Sequence, residues 1–357
     1  MNNKVDAAWR VIRVSATALG VTTLTQPALA HCQIGQVAEI PVETARNVPL
    51  ARAEINGQPV SVLIDTGASQ SLILRATAER LGLHLTAGPK ARLYGVGGES
   101  QLDTTVIKEL RLEKFTARDL RIPVAGDAKA NVEMVLGEDF WSVTSLELDL
   151  KHRVVRMMEP KDCKTDELPY WTKTYSMADL LASPLDARRV QVNVLLNGHA
   201  ARALIDSGAS FSLVSKGVAD QAGASYQGTS AEIVGIGGKS LESRVGRFQT
   251  FTIGDETINN VQVLIAQLDK NTTTQQVGSR IPVAAVTAPD MYLGADFLLA
   301  HRVFIDNSTR KMVFTYEGGP VFQTPKPSAA GPNNSPAQWA EPPSPLVGAA
   351  AHNSRNP

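Results

Sequence analysis

The same run of features occurs twice in this chain, about 140 residues apart, and that duplication constrains the fold more than any local pattern. The first copy opens at Asn56-Gly57 and continues into PVSVLIDTGAS, ending at Ser69. The second opens at Asn197-Gly198 and continues into HAARALIDSGAS, ending at Ser210. In both copies Asn-Gly stands nine residues before an aspartate, between segments rich in β-branched and apolar side chains. That arrangement predicts a β-hairpin, with Asp65 and Asp206 just past its second strand.

The order then continues in parallel. A glycine-rich element follows each aspartate: Tyr94, Gly95, Val96, Gly97 and Gly98 in the first copy, and Val234, Gly235, Ile236, Gly237 and Gly238 in the second. Each copy then reaches an apolar-apolar-glycine step, Val135-Leu136-Gly137 or Tyr292-Leu293-Gly294, followed by Asp139 or Asp296. Segments 73–81 and 213–222 have short-helix character and end at Gly82 and Gly223. Segments 146–157 and 303–316 are strand-like closing stretches.

These features predict two equivalent units, at residues 36–160 and 187–318, joined by a linker at 161–186. A chain of 357 residues is long enough for two cores. Beyond residue 318 the composition changes: nine of the twenty prolines fall in 319–357, which predicts a disordered Pro-rich tail. At the other end Lys4, Arg10 and Arg13 precede an apolar run and Ala28-Leu29-Ala30, the order of a secretory signal peptide over residues 1–30. Export to a periplasm or the exterior is therefore expected, with no stable membrane insertion, because no later apolar run is long enough to span. Cys32 and Cys163 are the only cysteines; the sequence leaves open whether they pair or remain thiols.

Several chemistries find no support. Thirty-five basic and thirty-five acidic residues balance, so nothing argues for a nucleic-acid partner. The six histidines lack metal-ligand spacing, no G-x-S-x-G element occurs, and no cofactor is expected. Gly237-Gly238-Lys239-Ser240 resembles the end of a phosphate-binding loop, but Ile233 stands where its first glycine is required.

The residues Asp65-Thr66-Gly67-Ala68 and Asp206-Ser207-Gly208-Ala209, each after Leu-Ile, resemble the active-site loops of retropepsin-like and pepsin-like aspartic proteases. The duplicated apolar-apolar-glycine steps resemble that family's second signature. The resemblance implies an all-β fold: two homologous retropepsin-like β-barrel domains related by a pseudo-twofold axis, with one aspartate from each. It implies an aspartic endopeptidase in which Asp65 and Asp206 are catalytic and Thr66, Gly67, Ser207 and Gly208 support their loops. It further implies flaps built on Tyr94, Gly95, Gly97, Gly98, Gly235, Gly237 and Gly238, closing over a polypeptide substrate in extended conformation. Ala68 and Ala209 stand where pepsin-like enzymes carry a hydroxyl, which favours easier protonation of the pair and activity from mildly acidic to near-neutral pH. Asp139 and Asp296 are expected to cap a helix or pair with an arginine. A monomer with intramolecular pairing is expected, since a tandem chain replaces association by a high effective concentration. The alternatives are a catalytically silent binding module of the same fold and an obligate dimer.

Overall fold

Two Asn-Gly turns set the frame. Asn56 and Gly57 have φ of 52° and 78°, and Asn197 and Gly198 have 50° and 80°, the left-handed pair that a two-residue hairpin needs. They join strands Leu50–Ile55 to Gln58–Ile64 and Gln191–Leu196 to His199–Ile205. The structure, a computed structural model, describes residues 31–95, 98–126, 132–182, 189–234, 240–268 and 288–324. The expected signal peptide, Gly97, Gly235, Gly237, Gly238, residues 269–287 and residues 325–357 lie outside the described residues.

Each hairpin belongs to a seven-stranded sheet, and the two sheets have the same order. In the first half that order is Leu50–Ile55, Gln58–Ile64, Met134–Leu136, Leu72–Leu74, Phe115–Ala125, Gly98–Leu112 and Thr86–Gly95. Leu50–Ile55 also pairs with Gly98–Leu112, which closes six of the strands into a barrel and leaves no free edge among them. In the second half Gln191–Leu196 pairs in the same way with Ser240–Ile253. The fold is all-β, two homologous barrels related by a pseudo-twofold axis.

The short-helix segments are shorter than the sequence predicts. Leu72–Leu74 and Leu213–Ser215 are strands, and the helices occupy only Arg75–Arg80 and Lys216–Gln221. Burial accounts for the difference: Leu72, Ile73 and Leu74 are all inside, paired with Val135 and Met134 on one side and Val124 and Ala125 on the other, so sheet packing overrides helical character. Gly82 and Gly223 do end the helices, at φ of 63° and 67°.

Each expected closing strand is in fact a hairpin. Ser145–Asp149 returns as Val154–Lys161 through Arg153 at φ 60°, and His301–Asp306 returns as Lys311–Tyr316 through Arg310 at φ 56°. These four strands are the centre of a six-stranded third sheet that joins the halves, ordered Gln33–Pro41, Val154–Lys161, Ser145–Asp149, His301–Asp306, Lys311–Tyr316, Ser176–Asp179. Its central seam pairs Leu148 with Val303 and Leu146 with Ile305, all buried. Glu147, fully buried at that seam, accepts from Arg156 at 2.6 Å, Arg302 at 2.8 Å and the Tyr170 hydroxyl at 2.6 Å, so its charge is compensated from both halves and from the linker.

The sheet also recruits chain at the start of the first predicted unit and in the linker. Gln33–Pro41 forms one edge, Ser176–Asp179 in the linker forms the other, and a Cys32–Cys163 disulfide fastens the first edge to the linker. At the C-terminal end the chain stays ordered past residue 318: Val321 and Phe322 pack on the main core.

Candidate active site

Each predicted aspartate leaves its barrel at the end of a buried strand. Ile64 and Ile205 are fully buried and pair in parallel with Leu136 and Leu293. The next backbone N–H on each strand, Asp65 or Asp206, donates to the carbonyl of that same leucine, at 3.0 and 2.9 Å. The apolar-apolar-glycine step is thus the strand against which the aspartate loop is laid. Glycine is required there by contact: a Cβ on Gly137 would lie 2.7 Å from the Ala68 carbonyl oxygen, and one on Gly294 2.6 Å from the Phe211 carbonyl carbon.

The two loops cross-brace. Thr66 N–H donates to Ser207 Oγ and Ser207 N–H donates to Thr66 Oγ1, both at 3.0 Å. The same hydroxyls then donate onward, Thr66 to the Ile205 carbonyl at 2.8 Å and Ser207 to the Ile64 carbonyl at 2.7 Å. Both residues are almost fully buried, so no water competes for these bonds. The interlock lies within one chain.

Bracing brings the carboxyls together. Asp65 Oδ1 accepts from Gly67 N–H at 2.8 Å and Ala68 N–H at 3.0 Å, and Asp206 Oδ1 accepts from Gly208 and Ala209 N–H at 3.0 Å each. A Cβ on Gly67 would fall 2.4 Å from Asp206 Cγ, and one on Gly208 2.4 Å from Asp65 Oδ2. Each glycine therefore passes directly over the opposite carboxyl, where only a missing side chain leaves room.

The electrostatics follow from that proximity. Burial raises the Asp65 carboxyl above the usual range, opposed by its two backbone hydrogen bonds. Burial also raises Asp206 well above that range, and the charge of Asp65 adds to it. Each carboxyl lies against the loop glycine of the other, and two acids placed so closely disfavour double ionisation, so one proton on the pair is favoured at a pH where isolated carboxyls would both be ionised.

Asp139 and Asp296 lie one position inside the short helices that start at Glu138 and Ala295, and among the described residues neither pairs with an arginine; Asp296 Oδ1 does accept a first-turn amide of its own helix, Phe297 N–H at 2.9 Å, but the main partner of each aspartate is a serine of the loop. Asp139 Oδ1 accepts from Ser71 N–H at 2.8 Å and Ser71 Oγ–H at 2.6 Å, and Asp296 Oδ1 accepts from the same atoms of Ser212 at 2.9 and 2.6 Å. The serine hydroxyls accept in turn from Gly137 and Gly294 N–H. Each aspartate thus ties the far end of its loop to the following helix. Ser71 and Ser212 were missed, although both stand six residues after an aspartate, a recurrence visible in the repeat.

Of the predicted flap residues, Tyr94 pairs with Glu99 and Gly95 with Gly98 at the end of the hairpin of Thr86–Gly95 and Gly98–Leu112. Tyr292, read in the sequence only as an apolar member of the Tyr292-Leu293-Gly294 step, carries a phenol near the site. It pairs with Leu204 and Leu213, and burial raises its phenol, with the Asp206 charge adding to the shift and Arg189 opposing it.

A family model described as aspartyl protease matches residues 51–140 and 190–297, one match on each half and together more than half of the chain. Among solved structures, the aspartic proteinase from Irpex lacteus aligns at 12% identity over 80% of this chain and 97% of that one, with a TM-score of 0.46. No curated protein matches the sequence. With the family's pattern matched separately on each half, the chain belongs to the aspartyl protease family.

Proposed function

We propose that this protein is an exported aspartic endopeptidase in which Asp65 and Asp206 together activate a water molecule against a peptide carbonyl. The observation that carries the reading is the reciprocal placement of each loop glycine over the opposite carboxyl, which sets two buried acids side by side and raises both. The ionised member takes a proton from water as the hydroxide oxygen bonds to the carbonyl carbon. The protonated member gives its proton to the carbonyl oxygen, forming a neutral tetrahedral diol. Collapse breaks the C–N bond, with a proton passing from the pair to the departing nitrogen and one diol proton returning to the pair. The same pair serves both halves of the reaction.

Thr66 and Ser207 act as braces, and Gly67 and Gly208 permit the close approach. The substrate is an extended polypeptide, with Tyr94, Gly95, Gly97, Gly98, Gly235, Gly237 and Gly238 in the flaps. A monomer suffices, because the interlock and both carboxyls come from one chain. The disulfide fits an oxidising compartment outside the cytosol, and among the described residues no helix is long and apolar enough to cross a membrane.

Cleavage of an unbiased peptide library by the mature chain from pH 3 to 8 tests the assignment. Wild type should cut, and folded Asp65→Asn and Asp206→Asn variants should each lose about 10²- to 10⁴-fold in rate, the range of general acid–base catalysis. A well-folded wild type that cuts nothing makes the protein a binding module.

A further inference from the structure

The two aspartate loops are alike at the carboxyls and differ one contact further out. In the first half Asp139 is partly exposed and is held by Ser71. In the second half Asp296 is sealed at 1% exposure, and its second oxygen accepts from the backbone N–H of Gln323 at 3.3 Å. That N–H comes from the segment after the last strand of the joining sheet. Gly318 and Gly319, at φ of 101° and 97°, turn the chain back after Tyr316, and the Tyr316 hydroxyl fastens the turn by donating to the Gly319 carbonyl at 2.7 Å. Phe322 then meets Phe251 edge-on at 5.1 Å and lies 6.2 Å from Phe297, the residue after Asp296.

We propose that residues 321–323 form a positioning strap for the second aspartate loop, acting on Asp206 through Asp296 and Ser212. The connection is continuous. Gln323 N–H holds one oxygen of Asp296; the other holds Ser212 N–H and Oγ–H; Ser212 Oγ holds Gly294 N–H. Leu293, next to Gly294, accepts from Asp206 N–H, and Ala295 N–H donates to the Ala209 carbonyl within the loop. Phe322 adds the apolar half of the strap, since its ring shields the helix that carries Asp296. Among the described residues Asp139 receives no N–H from such a segment, and the ring against its helix, Phe115 at 5.0 Å from Phe140, belongs to a barrel strand, so loss of the strap should loosen one loop and spare the other. As a positioning effect on a hydrolase, the inference rests on the reading above.

The test uses the full chain with three substitutions. Gln323→Pro removes the donated N–H, Phe322→Ala removes the ring, and Gln323→Ala changes the side chain while keeping the N–H. Amide exchange at Gly208, Ala209 and Ser212 should rise about fivefold in the first two variants, the factor one ordinary hydrogen bond is worth, and stay unchanged at Gly67, Ala68 and Ser71. Peptide hydrolysis should show kcat reduced by a similar factor with KM within about twofold, because positioning acts on the reacting geometry rather than on substrate affinity. Gln323→Ala should match wild type in both measurements. Exchange that rises equally in both loops, or in neither, overturns the strap and leaves residues 321–323 as packing alone. If wild type cuts no peptide the hydrolase reading falls, and the exchange measurement still decides the strap.

Discussion

Replacing Ser207 by alanine tests whether the cross-brace holds the two halves together. The hydroxyl accepts from Thr66 N–H at 3.0 Å and donates to the Ile64 carbonyl at 2.7 Å, and its residue is completely buried. Alanine leaves one buried donor and one buried acceptor without a partner, at about 1–3 kcal/mol each, so a loss of about 3 kcal/mol is expected. Thr66→Ala should cost a similar amount, because it strands Ser207 N–H and the Ile205 carbonyl in the same way. Thr66→Ser keeps the hydroxyl and should stay within about 1 kcal/mol of wild type. Urea unfolding of the full chain at one pH reads all three as midpoint shifts at constant slope. If both alanine variants unfold within about 0.5 kcal/mol of wild type, an ordinary surface-substitution effect, the brace contributes nothing and the argument from burial is wrong.

Two further outcomes follow from the same structure. Non-reducing peptide mapping should recover Cys32 linked to Cys163, and a Cys32→Ser/Cys163→Ser chain should lose about 2–4 kcal/mol, since the bridge closes a loop of 131 residues; a loss below about 1 kcal/mol would show that the edge strand holds without it. Catalysis needs one carboxyl ionised and its partner protonated, and both Asp65 and Asp206 are raised, so the upper limb of the pH-rate profile should lie above the ordinary carboxylate range; activity peaking only below about pH 3 would refute this.

How much was legible depended on whether a feature was local and repeated. Asn56-Gly57 and Asn197-Gly198 dictate their turns through backbone conformation alone, so the hairpins and the position of each aspartate at a strand end could be read directly. The joining sheet could not. Its seam pairs Leu148 with Val303, strands far apart in sequence whose alternation says only that they are strands and not what they meet. Ile73 and Leu74 read as the start of a helix because a few apolar residues before a helix have no period of their own; burial between two strands decides them. Asp139 and Asp296 were misassigned for a related reason. An aspartate at a helix start suggests a cap, and only the fold reveals the serine hydroxyl of a distant loop as its donor. Phe322 sits in a Pro-rich stretch whose composition reads as a tail, although one aromatic ring among prolines is enough to dock the chain.

The duplication also explains where the two halves are free to differ. At the carboxyls they cannot: each Asp Oδ1 receives two loop N–H groups at 2.8–3.0 Å, and each glycine must clear the opposite side chain. Two aspartates so alike share a proton readily, but the loops themselves do not assign it. The difference enters through the neighbours. Leu72 pairs with Val135 in the first half, whereas Leu213 pairs with Tyr292 in the second, so an aliphatic side chain is replaced by a phenol that feels the charge of Asp206 and of Arg189. Asp296 is likewise sealed and pushed up to about 6, chiefly by burial, while Asp139 stays partly exposed. A single chain can hold such differences on one side only, whereas a dimer of identical subunits must repeat every substitution on both. The symmetric pair supplies the chemistry of a shared proton, and the unequal surroundings give each aspartate a different environment in which to hold it.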